Sequence, residues 1–250
     1  MLGFFSKKSK ITDLSWLEID VHAHVLPGLD VATADVTAAL LYIKGLSALG
    51  FRKLICTPIR PVVEDSQSNT RIDSAFLLLK DAVKAASIDM DLILAGEYPI
   101  GPNFEVTASM SALNRRFVLI SILDAAFYSK LTQAVFDLSI RNYRPILAHP
   151  EKYPFLTKDR KKLKRLKHKG CLLQLDLLSI TGHYGKEVKS AALGLLKGNL
   201  YDLAGTNLQH IDELQVLDNS TQNGNIGEII GSYPFKNREL FSVQIAAQQL

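Results

Sequence analysis

Short apolar runs alternate along this chain with longer stretches of helical spacing, and that alternation most narrows the possible fold. The first run, residues 17–25, is a strand: Leu17, Ile19 and Val21 point one way, Asp20, His22 and His24 the other. Further strand-like runs follow at 52–58, 91–97, 116–121, 145–150, 170–176 and 200–205. Between them, 34–49, 71–86, 105–113, 130–141, 159–169 and 183–196 are helical by spacing. Seven strands joined by helices call for a parallel sheet covered on both faces, closed into a barrel or open and doubly wound. A length of 250 residues suits one such domain.

The polar residues choose between these. His22, His24, Glu97 and His149 each stand at the carboxyl end of an expected strand, where βα barrels build their sites. A dinucleotide fold would need Gly-x-Gly-x-x-Gly after a strand, and no such motif occurs. The expectation is an α/β barrel over residues 16–250, preceded by a basic tail over 1–15. His22 and His24, two apart on one strand face, suit a divalent transition metal, with Asp20 placed to orient a ring. Two buried structural histidines would explain a lone His-x-His equally well; the other polar strand ends favour the metal.

Net charge is +4, from 29 basic and 25 acidic residues. The surplus gathers at Lys7-Lys8-Ser9-Lys10 and at Lys158–Lys169, with no basic face interleaved with aromatics, so nucleic acid is not indicated. Leu163 and Leu166 give the second run a helical apolar edge, making it a solvated outer-helix face; docking to an acidic partner or lipid headgroups is the lesser reading. Cys56 and Cys171, both in apolar runs, suit a reduced, cytoplasmic setting. Met1 to Phe5 precede the lysines instead of following them, unlike a signal peptide, and no transmembrane segment is expected.

The ordered set Asp-x-His-x-His-x-Leu-Pro-Gly, Thr57-Pro58, Glu97, Ala148-His149-Pro150-Glu151 and Gly205-Thr206-x-x-x-His210 resembles the PHP (polymerase and histidinol phosphatase) superfamily. Within it, Tyr143 to Tyr153, Cys171 to Leu175 and Leu178 to Lys186 resemble the bacterial tyrosine-protein phosphatases of capsule and exopolysaccharide operons. The resemblance implies a distorted (β/α)7 PHP-type barrel in a single domain. It also implies three divalent ions, usually manganese, serving phosphomonoester hydrolysis, with the phosphotyrosine tail of a bacterial tyrosine kinase as partner.

Carried over residue by residue, the resemblance makes His22, His24, Glu97 and His149 metal ligands. Five further ligand positions hold Val31, Ile59, Ser121, Asn207 and Gln209. Val31, Ile59 and Gln209 would together have held one ion, and Val and Ile have no lone pair to give. Ser121 removes a carboxylate from a second. Asn207 leaves the first with a neutral amide oxygen beside His22, His24 and Glu97. Two divalent ions about 3.5 Å apart repel by roughly 19 kcal/mol at an effective dielectric of 20, and Glu97 is the one anion among the matched ligands. One bound ion is therefore the expectation, with Asp20, Asp30 and Glu151 as possible compensating carboxylates. Lys152 stands where relatives place a phosphate-holding arginine; with His210 it is the candidate phosphate contact. The function expected is a weakened or inactive metal-dependent tyrosine phosphatase, the alternative a non-catalytic pseudophosphatase that binds the kinase tail. Val31 and Ile59 are expected to bury each other in the vacated ion site.

Overall fold

The computed structural model describes residues 10–31, 33–60, 66–107 and 110–242. Strand β1 (Ile19–Ala23) leads through residues 24–26 into the Pro27–Gly28 turn and is followed by α1 (Val36–Ala48), whose Asp35 cap accepts the Ala38 N–H at 2.8 Å. Gly50, at φ 106°, reverses the chain into β2 (Lys53–Cys56). Then come α2 (Ser66–Ala85), β3 (Asp91–Leu94), β4 (Glu97–Ile100), β5 (Phe117–Ile122), α3 (Tyr128–Ile140) and β6 (Arg144–Ala148). The remainder is α4 (Pro154–Thr157), α5 (Arg160–His168), β7 (Leu172–Asp176), α6 (Lys186–Lys197), β8 (Leu203–Gly205), α7 (Ile211–Gln222), α8 (Asn225–Ile230) and α9 (Asn237–Phe241).

Among the described residues the named strands pair in parallel, in two sheets ordered β1-β2-β3 and β4-β5-β6-β7-β8. The sheets meet along two seams. At one, the backbone beyond β2 runs beside the start of β4: Glu97 N–H donates to Pro58 O at 3.1 Å, and Arg60 N–H to Glu97 O at 2.8 Å. At the other, β8 lies against β1. Asn207 N–H donates to His22 O at 2.8 Å, and the Asn237 amide spans the gap, its Nδ2 donating to Ile19 O and Ala204 O while its Oδ1 accepts from Ala204 N–H. Gly205 permits this approach, since a Cβ there would stand 2.8 Å from His22 Cβ and 2.9 Å from Gln174 Nε2. One apolar cluster draws Ile19, Ile55, Leu119, Ile146, Leu172 and Leu203 from both sheets; a larger one packs the helices against the strands' other side.

Several expectations are corrected. The single run at 91–97 is two strands, broken at Ala95–Gly96, so Glu97 opens β4 instead of closing a strand. The break has a packing cause: the Arg60 side chain lies where a Cβ at position 96 would be, 2.5 Å away. No helix forms in the described part of 105–113, where the Ser111 N–H is taken by Tyr98 Oη at 2.6 Å. Of the expected tail over 1–15, residues 1–9 lie outside the described residues. Leu14 is fully buried and donates its N–H to Leu49 O, so packed structure begins before Trp16. No helix among the described residues is long and apolar enough to cross a membrane.

Candidate metal centre

The centre is built where β1 meets β4. The β1–β2 register slips between Asp20 and Ala23, a bulge that re-aims the side chains of that end of β1. His22 Nε2 then lies 3.0 Å from Glu97 Oε2 and 3.1 Å from His24 Nε2, while His24 Nε2 lies 3.3 Å from the same Glu97 oxygen. All three side chains are buried. An ion about 2.1 Å from each ligand sets neighbouring donors about 3.0 Å apart in octahedral and about 3.4 Å in tetrahedral geometry. The observed edges fall in that range, so these residues fit a single divalent ion.

The rings are held by partners of their own. Gln174 Nε2 donates to Leu175 O at 2.6 Å, which turns Oε1 to His22 Nδ1 at 3.1 Å. Gln174 Oε1 can only accept, so Nδ1 carries a proton toward it and Nε2 is left to face Glu97 and any bound ion. Asp30 Oδ1 lies 3.4 Å from His24 Nδ1, and its other oxygen accepts the Leu26 N–H at 2.7 Å. Asp20, expected to orient a ring, instead accepts from the backbone of His22 and from the Thr206 N–H and hydroxyl. Gln174 was hidden as a ring partner because it is 152 residues from His22 and sits inside an apolar run. Replacing Gln174 with alanine is expected to weaken manganese binding 10- to 100-fold, read by calorimetric titration; an unchanged affinity would dismiss its role.

Without an ion, a proton reconciles the crowded lone pairs. Burial pushes the His24 imidazole down from 6.5, but Asp30 and Glu97 outweigh burial and hold it up at about 9. Burial likewise opposes the Glu97 charge, yet His22 and His24 keep that carboxyl well below its ordinary range. Because the ion and the His24 proton compete for one nitrogen, manganese affinity is expected to fall about tenfold per pH unit below about 9. Ion-free stability runs the other way: a raised pKa stabilises fully below 6.5, and that gain is lost as pH rises through about 9. A manganese affinity flat between about pH 6 and about pH 9 would contradict this competition.

The other candidates lie around this triad. His149, at φ 35°, stacks its ring 5.9 Å from His22, and its shielded Nδ1 has no hydrogen-bond partner among the described residues. Burial, with Lys152 next, lowers its pKa to about 3, leaving a neutral lone-pair donor beside the centre. Asn207, whose N–H bonds β1, donates Nδ2–H to Asp176 Oδ2 at 3.0 Å and accepts from Gln209 Nε2 at 3.2 Å. Lys152 is not free for phosphate: its Nζ lies 2.7 Å from Asp176 Oδ2 and 3.6 Å from the Tyr184 ring centroid. Glu151 is equally committed, accepting from Asp176 N–H and Tyr201 Oη, and burial, then Asp176, pushes its carboxyl up to about 7. His210 is exposed at the start of α7, its N–H given to Glu213 Oε2 at 3.0 Å.

Val31 and Ile59 do not bury each other. They are 74% and 60% exposed and line an open cleft of about 330 Å³ with His24, Asp30, Arg71 and Gln209. Backbone duties explain this. The Asp30 loop is pinned through Leu26, and Ile59 bridges Glu97 in parallel register. Neither segment can fold inward without breaking those bonds. Arg71, which belongs to no motif in the sequence and opens the helical stretch 71–86 there, adds a positive charge to the cleft.

A parallel α/β scaffold with a buried His-His-Glu triad under a cleft defines a candidate metal-dependent protein. Residues 18–214 match the family model described as capsular polysaccharide synthesis, CpsB/CapC, and the chain belongs to that family. The tyrosine-protein phosphatase YwqE of Bacillus subtilis (strain 168) is 25% identical over 199 residues, 77% of this chain and 78% of that one. A chain from the crystal structures of YwqE from Bacillus subtilis and CpsB from Streptococcus pneumoniae, which are metal-dependent tyrosine phosphatases, superposes with a TM-score of 0.73. It shares 20% identity, and the match covers 93% of this chain and 96% of that one.

Proposed function

We propose that this protein is a metal-dependent phosphatase of the protein-tyrosine type, working in capsule or exopolysaccharide regulation with a reduced centre that holds one manganese ion. Its partner is the phosphotyrosine tail of a bacterial tyrosine kinase, in the cytoplasm. The observation that carries this reading is the 3.0–3.3 Å spacing of the His22, His24 and Glu97 ligand atoms. His149 and Asn207 flank the triad as further ligands. We read the two sheets as a distorted (β/α)7 barrel, supported by the shared apolar cluster and the two bonded seams.

The ion, when bound, supplies positive charge that acidifies a water and steadies the phosphoryl oxygens. His22 and His24 present neutral nitrogens to it, and Glu97 supplies the anion. Arg71 faces the cleft as a cation for the phosphate, with Val31 and Ile59 forming apolar walls for the aryl ring. His210, next to Gln209 of the lining, remains a phosphate contact from that rim. Lys152 acts as a positioning residue, holding Asn207 in place through Asp176.

The test is metal content after purification in excess manganese, with phosphate release from a phosphotyrosine peptide. One ion per chain and slow, manganese-dependent release that His22→Ala abolishes is expected. No bound ion, or turnover matching a relative with a full ligand set, would overturn the reading. The engagement of Lys152 and Asn207 within the fold favours a second reading, a pseudophosphatase. It would bind the peptide and release no phosphate.

A further inference from the structure

The positive charge of this chain is segregated. Residues 158–169 hold eight of the 29 lysines and arginines and one of the 25 acidic residues; the other 21 basic and 24 acidic residues leave a net charge of −3. The whole surplus therefore belongs to α5 and its lead-in. Leu163 and Leu166 are the buried face of that helix. The cations beside this face are fastened to the fold. Lys162 Nζ lies 4.9 Å from the Tyr128 ring centroid, Lys167 pairs with Asp202, and Arg160 Nη1 donates to Gly194 O at 3.1 Å.

The opposite face differs. At 3.6 residues per turn, Lys161, Lys164, Arg165, His168 and Lys169 project away from Leu163 and Leu166. All five are exposed, and none has a side-chain hydrogen bond or ion pair among the described residues. Lys161 and Arg165, like Arg165 and Lys169, are like charges four apart, a spacing that works against a helix. Nothing in the fold offsets that repulsion.

We propose that the outward face of α5 docks the protein onto an anionic lipid surface. The face is convex. Among its described residues it has no ring to stack a base and no apolar groove to seat a peptide, which leaves a dense row of flexible cations matched to the diffuse field of anionic headgroups. Such attraction reaches about 10 Å at 0.1 M salt, so docking is salt-sensitive.

The experiment sediments the full chain with phosphatidylcholine vesicles containing none or about a third phosphatidylglycerol. Lys161→Glu/Arg165→Glu is compared with Lys80→Glu/Lys84→Glu, the same charge change on exposed positions of α2; shared melting temperatures show that both fold. Partition onto anionic vesicles is expected to fall at least about thirtyfold for the α5 variant and less than about threefold for the α2 variant. It should also vanish at about 0.5 M salt. Equal losses in the two variants, equal partition onto neutral vesicles, or no partition at low salt would overturn the proposal. Binding to polyglutamate without binding to vesicles would overturn it in favour of an acidic protein partner.

Discussion

A chain carrying Val31→Asp, Ile59→His and Gln209→His is expected to bind one more manganese ion and to release phosphate from a phosphotyrosine peptide at least about a hundredfold faster. The motive is the exposure of Val31 and Ile59 on the cleft that His24 also lines, so the new ligands disturb no core. A fixed cation placed where phosphoryl charge develops contributes about 2.7–4 kcal/mol, a factor of about 10²–10³ in rate. Asn207→Asp is a poorer restoration, because its carboxylate would replace an amide that now donates to Asp176 Oδ2. Metal per chain and manganese-dependent rate, measured beside the parent, decide the matter. Unchanged metal content would sink the idea that these three positions define a lost ion site.

Asn237→Leu is expected to lower stability by about 3–9 kcal/mol. The side chain makes three hydrogen bonds to buried main chain, to Ile19 O at 2.8 Å, to Ala204 O at 2.7 Å and from Ala204 N–H at 3.1 Å. Leucine keeps the branched shape and leaves those groups unsatisfied, at about 1–3 kcal/mol each. Melting should fall by about 6–36 °C for a domain of this size. A fall under about 3 °C would mean that the seam between β1 and β8 holds without this amide.

The strands were legible because buried parallel strands announce themselves as apolar runs closed by Pro or Gly, as Lys53–Cys56 is by Pro58. His22 and His24 were legible because polar residues at such an end have few structural uses; Glu97 read as a strand-closing carboxylate although it opens β4. What stayed hidden depended on contacts remote in sequence. Arg60 packing over Gly96 splits one apolar run into two strands, and no local periodicity encodes that. Gln174 acts across 152 residues. Lys152 read as a free cation until Asp176, 24 positions on, was seen to claim it. Val31 and Ile59 looked destined for burial because apolarity was weighed without the backbone bonds that hold both at the rim.

Glu97 belongs to the five-stranded sheet, His22 and His24 to the end of the three-stranded one. A cation held among them fastens one half of the molecule to the other, and ligation of the native state alone adds about 2.7 kcal/mol at a hundredfold excess over its dissociation constant. Where such an ion is scarce the clasp would open, and a protein left a few kcal/mol less stable would spend more time within reach of proteases. The amount of this protein, and not merely its activity, would then track the metal supply of its host.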